Sequence, residues 1–363
     1  MHWDLFCRVV DNFGDIGVCW RLAADLAARG DTVRLWCDDA GALAWMAPAG
    51  APGVDVHPWP ADDDVDIEPC EAVVEAFGCH LPAGFVRRMA TRAPQPTWIN
   101  LEYLSAEEFV ERSHGLPSPQ PSGPAQGLRK WFFYPGFSAN TGGLLREPGL
   151  SRRQAAFDAR AWLHGCGIVP ATGERLVSLF CYTNPALPAL LDALSATPTL
   201  LLVTPGLAAG QVRAVPPSPD REALRIHYLP PLAQVDYDHL LWSCDLNLVR
   251  GEDSFVRAQW AGRPFLWQIY PQHDGAHVAK LAAFHRRFLA AAAPALAAAV
   301  QGAAEAWNGI GGAQTPSASV TGITLPPPGL WPDWQAHCRA WRARLEALPD
   351  LASSLRAFVL ERR

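Results

Sequence analysis

Hydrophobic and polar positions in the first third of the chain alternate between two spacings. Short apolar runs, which are typical of buried strands, lie at 3–10, 32–37, 72–77 and 97–101. After the first run, Leu22 and Leu26 recur on one face at helical spacing, and Gly30 marks the end of that helix. A further, acidic helix is predicted around Glu107. Strands separated by helices predict an α/β domain built on a parallel sheet.

A second series of strands follows a break in this pattern. The apolar spacing weakens over 142–149, and Ser151 is a suitable cap for a new helix. Further strands are predicted at 177–182, 200–204, 226–229 and 246–249. We therefore expect two α/β domains, at 1–150 and 151–340.

Two other segments have patterns of their own. The stretch 115–127 is rich in proline, serine and glycine, and this composition predicts an exposed loop without regular structure. The alanine-rich run 289–304 predicts a helix that Pro294 interrupts.

The C-terminal part of the chain carries two predicted helices. Asp333 is a suitable cap for the first, whose apolar stripe consists of Trp334, Cys338, Trp341 and Leu345. The second is expected at about 351–361. Because such stripes must be buried, we expect the segment 341–363 to dock on a domain, with the first domain as the candidate.

Composition and charge exclude several classes of protein. The 363 residues, 49% of them hydrophobic, suffice for two domains of about 150 residues with ordinary cores. The net charge of −6 does not favour binding to nucleic acid or to an anionic membrane and suits a cationic partner better. Nine scattered cysteines without a Cys-x-x-Cys pair indicate a reducing compartment. With neither a secretory signal nor a transmembrane run in the sequence, we expect a soluble cytoplasmic protein.

The first candidate site is the turn 11–17, which follows a strand and opens a helix. The spacing to Asp38 suits a dinucleotide-binding fingerprint, but the required G-x-G-x-x-G is absent. Asp11 and Asp15 would repel each other by about 1 kcal/mol even in a water-like dielectric, so this turn suits a cation better than a phosphate. The alternative is structural, with Asp11 as a turn-former and Asp15 as a helix N-cap.

The second candidate is the polar segment 250–254 at the end of the strand predicted at 245–249. A helix start capped by Ser254, together with Arg250, would form a seat for a diphosphate. Glu252 and Asp253 could accept hydrogen bonds from ribose or sugar hydroxyls. The alternative is a capped surface helix with a salt bridge.

The third candidate is the pair Phe180 and Tyr182. Residues i and i+2 of a strand face the same way, so both rings project from one face and could enclose a nucleobase. The alternative is that both rings belong to the core.

No metal site is expected from the sequence. His273 and His277 have helical spacing, but no acidic third ligand is in register with them. The acidic run 62–66 lies in a polar, proline-flanked stretch and predicts a solvated loop.

Long segments of the chain resemble the EarP family, the arginine rhamnosyltransferases of bacterial elongation factor P. The resemblance extends over almost the whole length. It rests on FCRVVDNFGDIGVCWRLA, WINLEYLSAE, FFYPGF with TGGLLRE, SLFCYTN, and LLWSCDLNLVRGEDSFVRAQWAGRPFLWQIYPQ.

The resemblance implies a GT-B architecture, in which two Rossmann-like domains face each other across a cleft. It implies that dTDP-β-L-rhamnose is the donor and binds to the C-terminal domain. It further implies inversion at the sugar carbon without a metal or other cofactor, and an acceptor arginine on elongation factor P. The N-terminal domain would then be the acceptor side and carry the general base.

The resemblance also assigns roles to individual residues. Asp11 and Asp15 correspond to the essential acids of the family, with Asp15 preferred as general base, and Glu252 is added to the catalytic set. Donor-binding positions are Phe180, Tyr182, Gln234, Tyr237, Arg250, Glu252, Asp253, Ser254 and Tyr270.

Three alternatives remain open at the level of sequence. A nicotinamide-dependent oxidoreductase on a doubly wound fold would bind its cofactor at 11–17. A non-catalytic protein could bind a nucleotide sugar or a translation factor without turnover. A glycosyltransferase with another sugar or acceptor would use the same scaffold.

Overall fold

A computed structural model describes residues 1–10, 13–61, 66–272, 274–310 and 322–362. The chain divides into two compact units. Unit 1 comprises Met1–Leu150 and Leu345–Arg363, and unit 2 comprises Ser151–Arg344. The chain therefore leaves unit 1 near the position expected from the sequence and returns to it at its C-terminal end.

Unit 1 is built on a seven-stranded sheet with the order β3-β2-β1-β4-β5-β7-β6. The strands are β1 (His2–Cys7), β2 (Thr32–Cys37), β3 (Val54–Pro58), β4 (Ala72–Ala76), β5 (Thr97–Leu101), β6 (Pro117–Pro119) and β7 (Arg129–Phe133). All neighbouring strands are parallel except β6, which is antiparallel to β7. Strands β1, β4 and β5 are buried almost throughout, as expected for a parallel sheet that is covered on both faces.

The described part of unit 1 contains five α-helices. They are α1 (Gly14–Ala28), α2 (Leu43–Met46), α3 (Ala83–Thr91), α4 (Glu108–Ser113) and the C-terminal α14 (Leu351–Leu360). Helix α14 buries Leu351, Leu355 and Val359 in the same core as Trp3 and Leu22. Polar contacts fix it as well, because the Arg29 guanidinium donates to the Asp350 carboxylate at 2.8 Å. Helix α14 is therefore packed on the core of unit 1.

Unit 2 repeats the design with a five-stranded parallel sheet of order β10-β9-β8-β11-β12. The strands are β8 (Arg175–Leu179), β9 (Thr199–Val203), β10 (Leu224–Tyr228), β11 (Leu246–Arg250) and β12 (Phe265–Gln268). The helices are α5 (Leu150–Ala155, which begins at the unit boundary), α6 (Ala159–Gly165), α7 (Leu187–Leu194), α8 (Leu207–Ala214), α9 (Gln234–Ser243), α10 (Asp253–Ala261), α11 (Ala276–Phe288), α12 (Pro294–Trp307) and α13 (Trp331–Glu346).

Three predictions about local structure were wrong. Pro294 does not interrupt a helix but is the first residue of α12, where its missing N–H group costs nothing. The stretch 115–127 is not wholly irregular, because Pro117–Pro119 forms the edge strand β6 and Gly123–Ala125 forms a 3₁₀ turn. Proline is tolerated in β6 because this strand pairs on one side only. Helix α13 begins at Trp331, so Asp333 lies inside its first turn.

The strand orders determine where a ligand can bind in each unit. In unit 1, successive strands are added to one side of β1 up to β3 and to its other side from β4 onward, so the strand order reverses between β1 and β4; in unit 2 it reverses between β8 and β11. Open α/β sheets bind ligands at the carboxyl ends of the strands on either side of such a switch point. Functional side chains are therefore expected at these two places.

Candidate active site

The switch point of unit 2 brings together residues from two distant segments. Arg250 is the last residue of β11 and is buried, with 6% of its surface exposed. Phe180 and Tyr182 follow β8, and the backbone N–H of Phe180 still donates to the Leu248 carbonyl at 2.9 Å. The predicted strands therefore end elsewhere, because β8 stops before both aromatic residues and β11 extends through Arg250.

The Arg250 guanidinium lies against both aromatic rings. Its Cζ atom is 4.4 Å from the centroid of the Phe180 ring and 4.4 Å from that of the Tyr182 ring. Both rings therefore contact the side chain of an arginine. One guanidinium nitrogen, Nη1, is buried without a hydrogen-bond partner among the described residues. A buried cation with an unused donor suits an anionic group of a ligand.

Ser254 does not cap a helix, in contrast to the prediction. Helix α10 begins at Asp253, and its N-cap residue is Glu252. The Ser254 hydroxyl instead accepts from the backbone N–H of Arg250 at 3.1 Å and donates to the Arg250 carbonyl. Ser254 thus fixes the backbone of the residue that carries the buried cation.

The remaining predicted donor residues lie around these rings. Tyr237 on α9 is in contact with Phe180 (5.8 Å between ring centroids), and its hydroxyl is buried. Burial raises the pKa of Tyr237, so this hydroxyl keeps its proton and can donate. Tyr270, 47% exposed, contacts Tyr182 at 5.4 Å between centroids. Gln234 is the buried first residue of α9.

Two residues that sequence reasoning missed hold the loops of this site. The Trp267 indole donates to the Gly251 carbonyl at 2.7 Å. Gln268, buried at the end of β12, accepts from the backbone N–H of Tyr182 at 2.8 Å. A glutamine that ends an apolar strand beside the switch point was the available signal. Together they fix the loop after β8 and the loop after β11, which contains Glu252 and leads into Asp253.

The switch point of unit 1 contains Asp15, of which 2% is exposed. Asp15 lies in the first turn of α1, and the N-cap residue of that helix is Phe13, so the alternative role as N-cap is not observed. Its Oδ2 atom accepts from the backbone N–H of Val10 at 2.8 Å. A carboxylate in this position is favoured by the positive end of the helix dipole.

Tyr103 is a second residue of this region that the sequence did not reveal. Its hydroxyl donates to Asp15 Oδ1 at 3.4 Å, and its ring stacks on Phe77 with 4.4 Å between centroids. Phe77 and His80 both have positive φ, at 57° and 51°, in the turn after β4. The buried Glu75 carboxylate accepts from the backbone N–H of His80 at 3.2 Å and so stabilises this turn. Because Tyr103 and Asp15 are 88 positions apart in the sequence, the local hydrophobic pattern does not indicate their contact.

The Asp38 carboxylate, which would bind the ribose of a dinucleotide, accepts hydrogen bonds from backbone N–H groups of the protein itself. Asp38 Oδ1 accepts from the backbone N–H groups of Val9, at 2.9 Å, and Asp39, at 3.0 Å. The spacing that suggested a nicotinamide cofactor therefore corresponds to a carboxylate that stabilises the loop after β1.

Some predicted features lie outside the described residues. These are Asp11, His273 and most of the acidic run, 62–65. Among the residues that are described, no cluster of three or more His, Cys, Asp or Glu side chains is arranged to hold a metal ion. None of the described helices combines the length and apolar character needed to cross a membrane.

Comparisons with known proteins agree on one family. The model of the family described as Elongation-Factor P (EF-P) rhamnosyltransferase EarP matches residues 3–360. A protein-arginine rhamnosyltransferase of Pseudomonas putida is 46% identical over 97% of both chains. Its counterpart from Pseudomonas aeruginosa is 43% identical over 98% of both chains.

Solved structures give the same result for the fold. A structure described as the basis for EarP-mediated arginine glycosylation of translation elongation factor EF-P superposes with a TM-score of 0.66, at 35% identity and 99% coverage of both chains. The spinosyn forosaminyltransferase SpnP, at 13% identity, covers 99% of this chain and 98% of its own with a TM-score of 0.53, which concerns the fold alone. The predicted fold class, GT-B with two Rossmann-like α/β units, is confirmed.

Proposed function

The chain belongs to the EarP family of elongation-factor P rhamnosyltransferases, and on that premise we propose that it moves L-rhamnose from dTDP-β-L-rhamnose to one arginine of elongation factor P. Family membership removes the nicotinamide-dependent oxidoreductase from the alternatives. The proposal assigns donor binding to unit 2 and the general base to unit 1, and it places the reaction in the cytoplasm, where translation factors act.

The observation that carries this proposal is the buried Arg250 between Phe180 and Tyr182. Its guanidinium retains an unused donor, and the first turn of α10 follows three residues later. A buried cation beside backbone N–H groups at a helix start can hold a diphosphate and stabilise the negative charge that develops on it as a leaving group. Tyr237 and Gln234, at the start of α9, are proposed to bind the nucleoside or the sugar.

Glu252 and Asp253 are proposed to bind hydroxyl groups of the donor. Both lie where the chain passes from β11 into α10, directly after Arg250. Carboxylates at this position can accept hydrogen bonds from ribose and rhamnose. Glu252 also fits the catalytic set, because a carboxylate beside the anomeric carbon would stabilise positive charge on the sugar in the transition state.

The acceptor chemistry assigns the base to a carboxylate. An arginine side chain has a pKa above about 12, whereas ordinary carboxylates have values near 4, so complete prior deprotonation would cost about 11 kcal/mol. Proton loss must therefore accompany bond formation, when the attacking nitrogen becomes far more acidic. Asp15 is proposed to orient the guanidinium and to accept this proton, and Asp11 to share in binding the cation.

The proposed reaction is a single displacement that needs no metal. A guanidinium nitrogen attacks the anomeric carbon from the face opposite the diphosphate, the bond from that carbon to the phosphate oxygen breaks, and dTDP leaves with the electron pair. The proton from nitrogen goes to Asp15 and then to water. Inversion converts the β-linked donor into an α-linked rhamnosyl arginine. Arg250 and the start of α10 supply the charge stabilisation that a metal would otherwise provide.

An assay of transfer in the presence of a chelator tests the chemistry of this proposal. Elongation factor P and dTDP-β-L-rhamnose are incubated with the protein and EDTA, and the anomeric configuration of the product is assigned by NMR. We expect α-rhamnosyl arginine at an undiminished rate. A β-linked product would refute inversion, and activity that EDTA removes and Mg²⁺ restores would refute metal independence.

A further inference from the structure

Unit 1 exposes large apolar side chains near the carboxyl ends of its parallel strands. Among the described residues, Val10 and Phe13 follow β1, Tyr103 and Phe109 follow β5, and Leu116 directly precedes the antiparallel β6. All five are therefore at the carboxyl end of the parallel strands, where Asp15 also lies. Exposed apolar groups concentrated at one place indicate a surface that another molecule covers.

Two of these side chains, Phe109 and Leu116, lie beside aromatic residues at the carboxyl end of β7. Phe109, 42% exposed, contacts the half-buried Tyr134 with 5.9 Å between ring centroids, and Tyr134 lies 6.5 Å from Phe132. Leu116, 51% exposed, is opposite Phe132 in the sheet, since its carbonyl accepts from the Phe132 N–H at 3.0 Å. Tyr103 adjoins them, because the backbone N–H of the preceding Glu102 donates to the Phe133 carbonyl at 2.9 Å. We call the set the aromatic rim, and it consists of Tyr103, Phe109, Leu116, Phe132 and Tyr134.

The charge around the aromatic rim is mainly negative. Glu102 precedes Tyr103, and α4 carries Glu108 and Glu111 against the single cation Arg112. The nearby His114 adds no positive charge at neutral pH, because burial lowers its pKa and its Nδ1 atom accepts from the Tyr134 N–H at 3.1 Å. The rim therefore suits a partner surface that is both apolar and basic.

The aromatic rim is directly connected to Asp15. Tyr103 is the link, since it belongs to the rim and its hydroxyl donates to the Asp15 carboxylate. A protein whose arginine reaches Asp15 would therefore extend over the neighbouring rim. An arginine that is modified in a folded protein is surrounded by other residues of that protein, and these need a surface to contact.

We propose that the aromatic rim is the docking surface for the folded acceptor protein and that it binds a basic, partly apolar surface around the acceptor arginine. This inference rests on the proposed function and deepens it. The rim confers affinity for the protein, whereas Asp15 acts on the arginine itself. Aromatic side chains such as Phe109 and Tyr134 are frequent among residues that dominate binding energy at protein interfaces.

Kinetics with elongation factor P test the proposal through Phe109→Ala and Glu108→Lys. Both residues are exposed and lie outside the catalytic and donor-binding sets. We expect each variant to raise the acceptor KM, and the Kd measured by calorimetry, about tenfold while kcat at saturation and dTDP binding stay unchanged. The Glu108→Lys variant should also reduce the dependence of acceptor binding on salt.

Matched controls are available on the same chain. Val56→Ala changes a side chain of 41% exposure on β3, at the opposite edge of the sheet, and Glu222→Lys reverses an exposed charge in unit 2. Both controls should leave acceptor binding unchanged.

Each outcome decides between the docking surface and the function. Equal acceptor KM and Kd in wild type and in both rim variants would overturn the docking proposal while leaving the function intact. Weaker binding in the rim variants, with no transfer even by the wild type, would support the docking surface and refute the function. A wild-type protein that neither binds nor modifies elongation factor P would overturn both.

Discussion

At the scale of single residues, each unit places a buried charged side chain at a sheet switch point. Asp15 follows β1 in unit 1, and Arg250 ends β11 in unit 2. Both are fixed by backbone contacts, from the Val10 N–H to Asp15 and between Ser254 and the Arg250 backbone. Fixed charges are effective in catalysis because they need no reorganisation when charge develops.

Replacement of Asp15 tests its role as base. We expect Asp15→Asn to lower kcat by about 10² to 10⁴ because asparagine cannot accept the proton, while dTDP affinity stays within a few-fold. Steady-state kinetics and calorimetry measure the two quantities. Asp38→Asn is the matched control, since Asp38 also accepts a backbone N–H at this edge and should tolerate the change. Near-normal turnover of Asp15→Asn would remove Asp15 from the mechanism.

Replacement of Phe180 tests the donor site. Phe180→Ala removes one of the two rings that contact Arg250, so the guanidinium is no longer fixed against the diphosphate. We expect dTDP binding to weaken by about 3- to 30-fold in a calorimetric titration, with the fold retained. Phe157→Ala, at a ring that stacks on His239 elsewhere in unit 2, is the control. Unchanged affinity for dTDP would show that Phe180 is a core residue and does not contribute to donor binding.

At the scale of elements, a buried ion pair joins the two helices that begin at the donor site. Arg257 on α10 donates to both carboxylate oxygens of Asp238 on α9, at 2.8 and 2.6 Å. Both residues are almost fully buried. The pair determines how the starts of α9 and α10, with Gln234, Tyr237 and Ser254, lie relative to each other.

Breaking this ion pair should destabilise the protein strongly. Asp238→Ala leaves the Arg257 guanidinium buried without its carboxylate, and we expect the free energy of unfolding in urea to fall by about 3 to 5 kcal/mol. The double variant Asp238→Leu/Arg257→Met removes both charges and should recover much of this loss. If the double variant is no more stable than Asp238→Ala, the loss of the carboxylate beside the buried guanidinium is not the cause.

Most elements of the fold could be predicted from local sequence. Strands such as Thr32–Cys37 and Thr97–Leu101 have the predicted bounds, because a short apolar run between turn residues determines them. Strands β3, β6, β7 and β12 and several helices were not predicted, and the other errors concern element ends. Arg250 was expected in a loop and lies in β11, since pairing with β12 extends the strand through a polar residue. Whether Pro294 interrupts a helix or begins one depends on where the helix starts, and the alanine-rich run alone does not determine this.

The candidate site was predictable only where its residues form a polar group at a strand end. Arg250 and Asp15 met that criterion. Trp267, Gln268 and Tyr103 did not, because their contribution is a hydrogen bond to a segment distant in sequence. The donor and acceptor identities came from resemblance to a family, since nothing in the residues alone distinguishes one nucleotide sugar from another.

At the scale of the whole molecule, the chain forms two units whose stabilities respond to pH through different groups. In unit 2, burial lowers the pKa of His285 to about 4, and 7% of this residue is exposed. In the unfolded chain the same histidine has a pKa near 6.5. The unfolded state therefore binds the proton first as the pH falls from about 6.5 to 4, and stability is lost over that window.

A histidine variant isolates this contribution. Because glutamine does not titrate, the His285→Gln variant should lack this pH dependence. Between pH 7 and pH 4, the free energy of unfolding should fall by about 3 kcal/mol more in the wild type than in the variant. Urea denaturation at both pH values measures the difference. The carboxyl of Asp25, whose pKa burial raises to about 6, is present in both proteins and cancels. Parallel losses of stability would show that His285 titrates normally.

The most direct test of the central claim is the intact mass of elongation factor P after incubation with this protein and dTDP-β-L-rhamnose, followed by peptide mapping. The account predicts the mass of one added deoxyhexose on a single arginine, and at least about 10²-fold slower formation of this adduct with the Asp15→Asn variant. An unmodified acceptor, with a folded protein that still binds dTDP, would contradict the assignment of donor, acceptor or both.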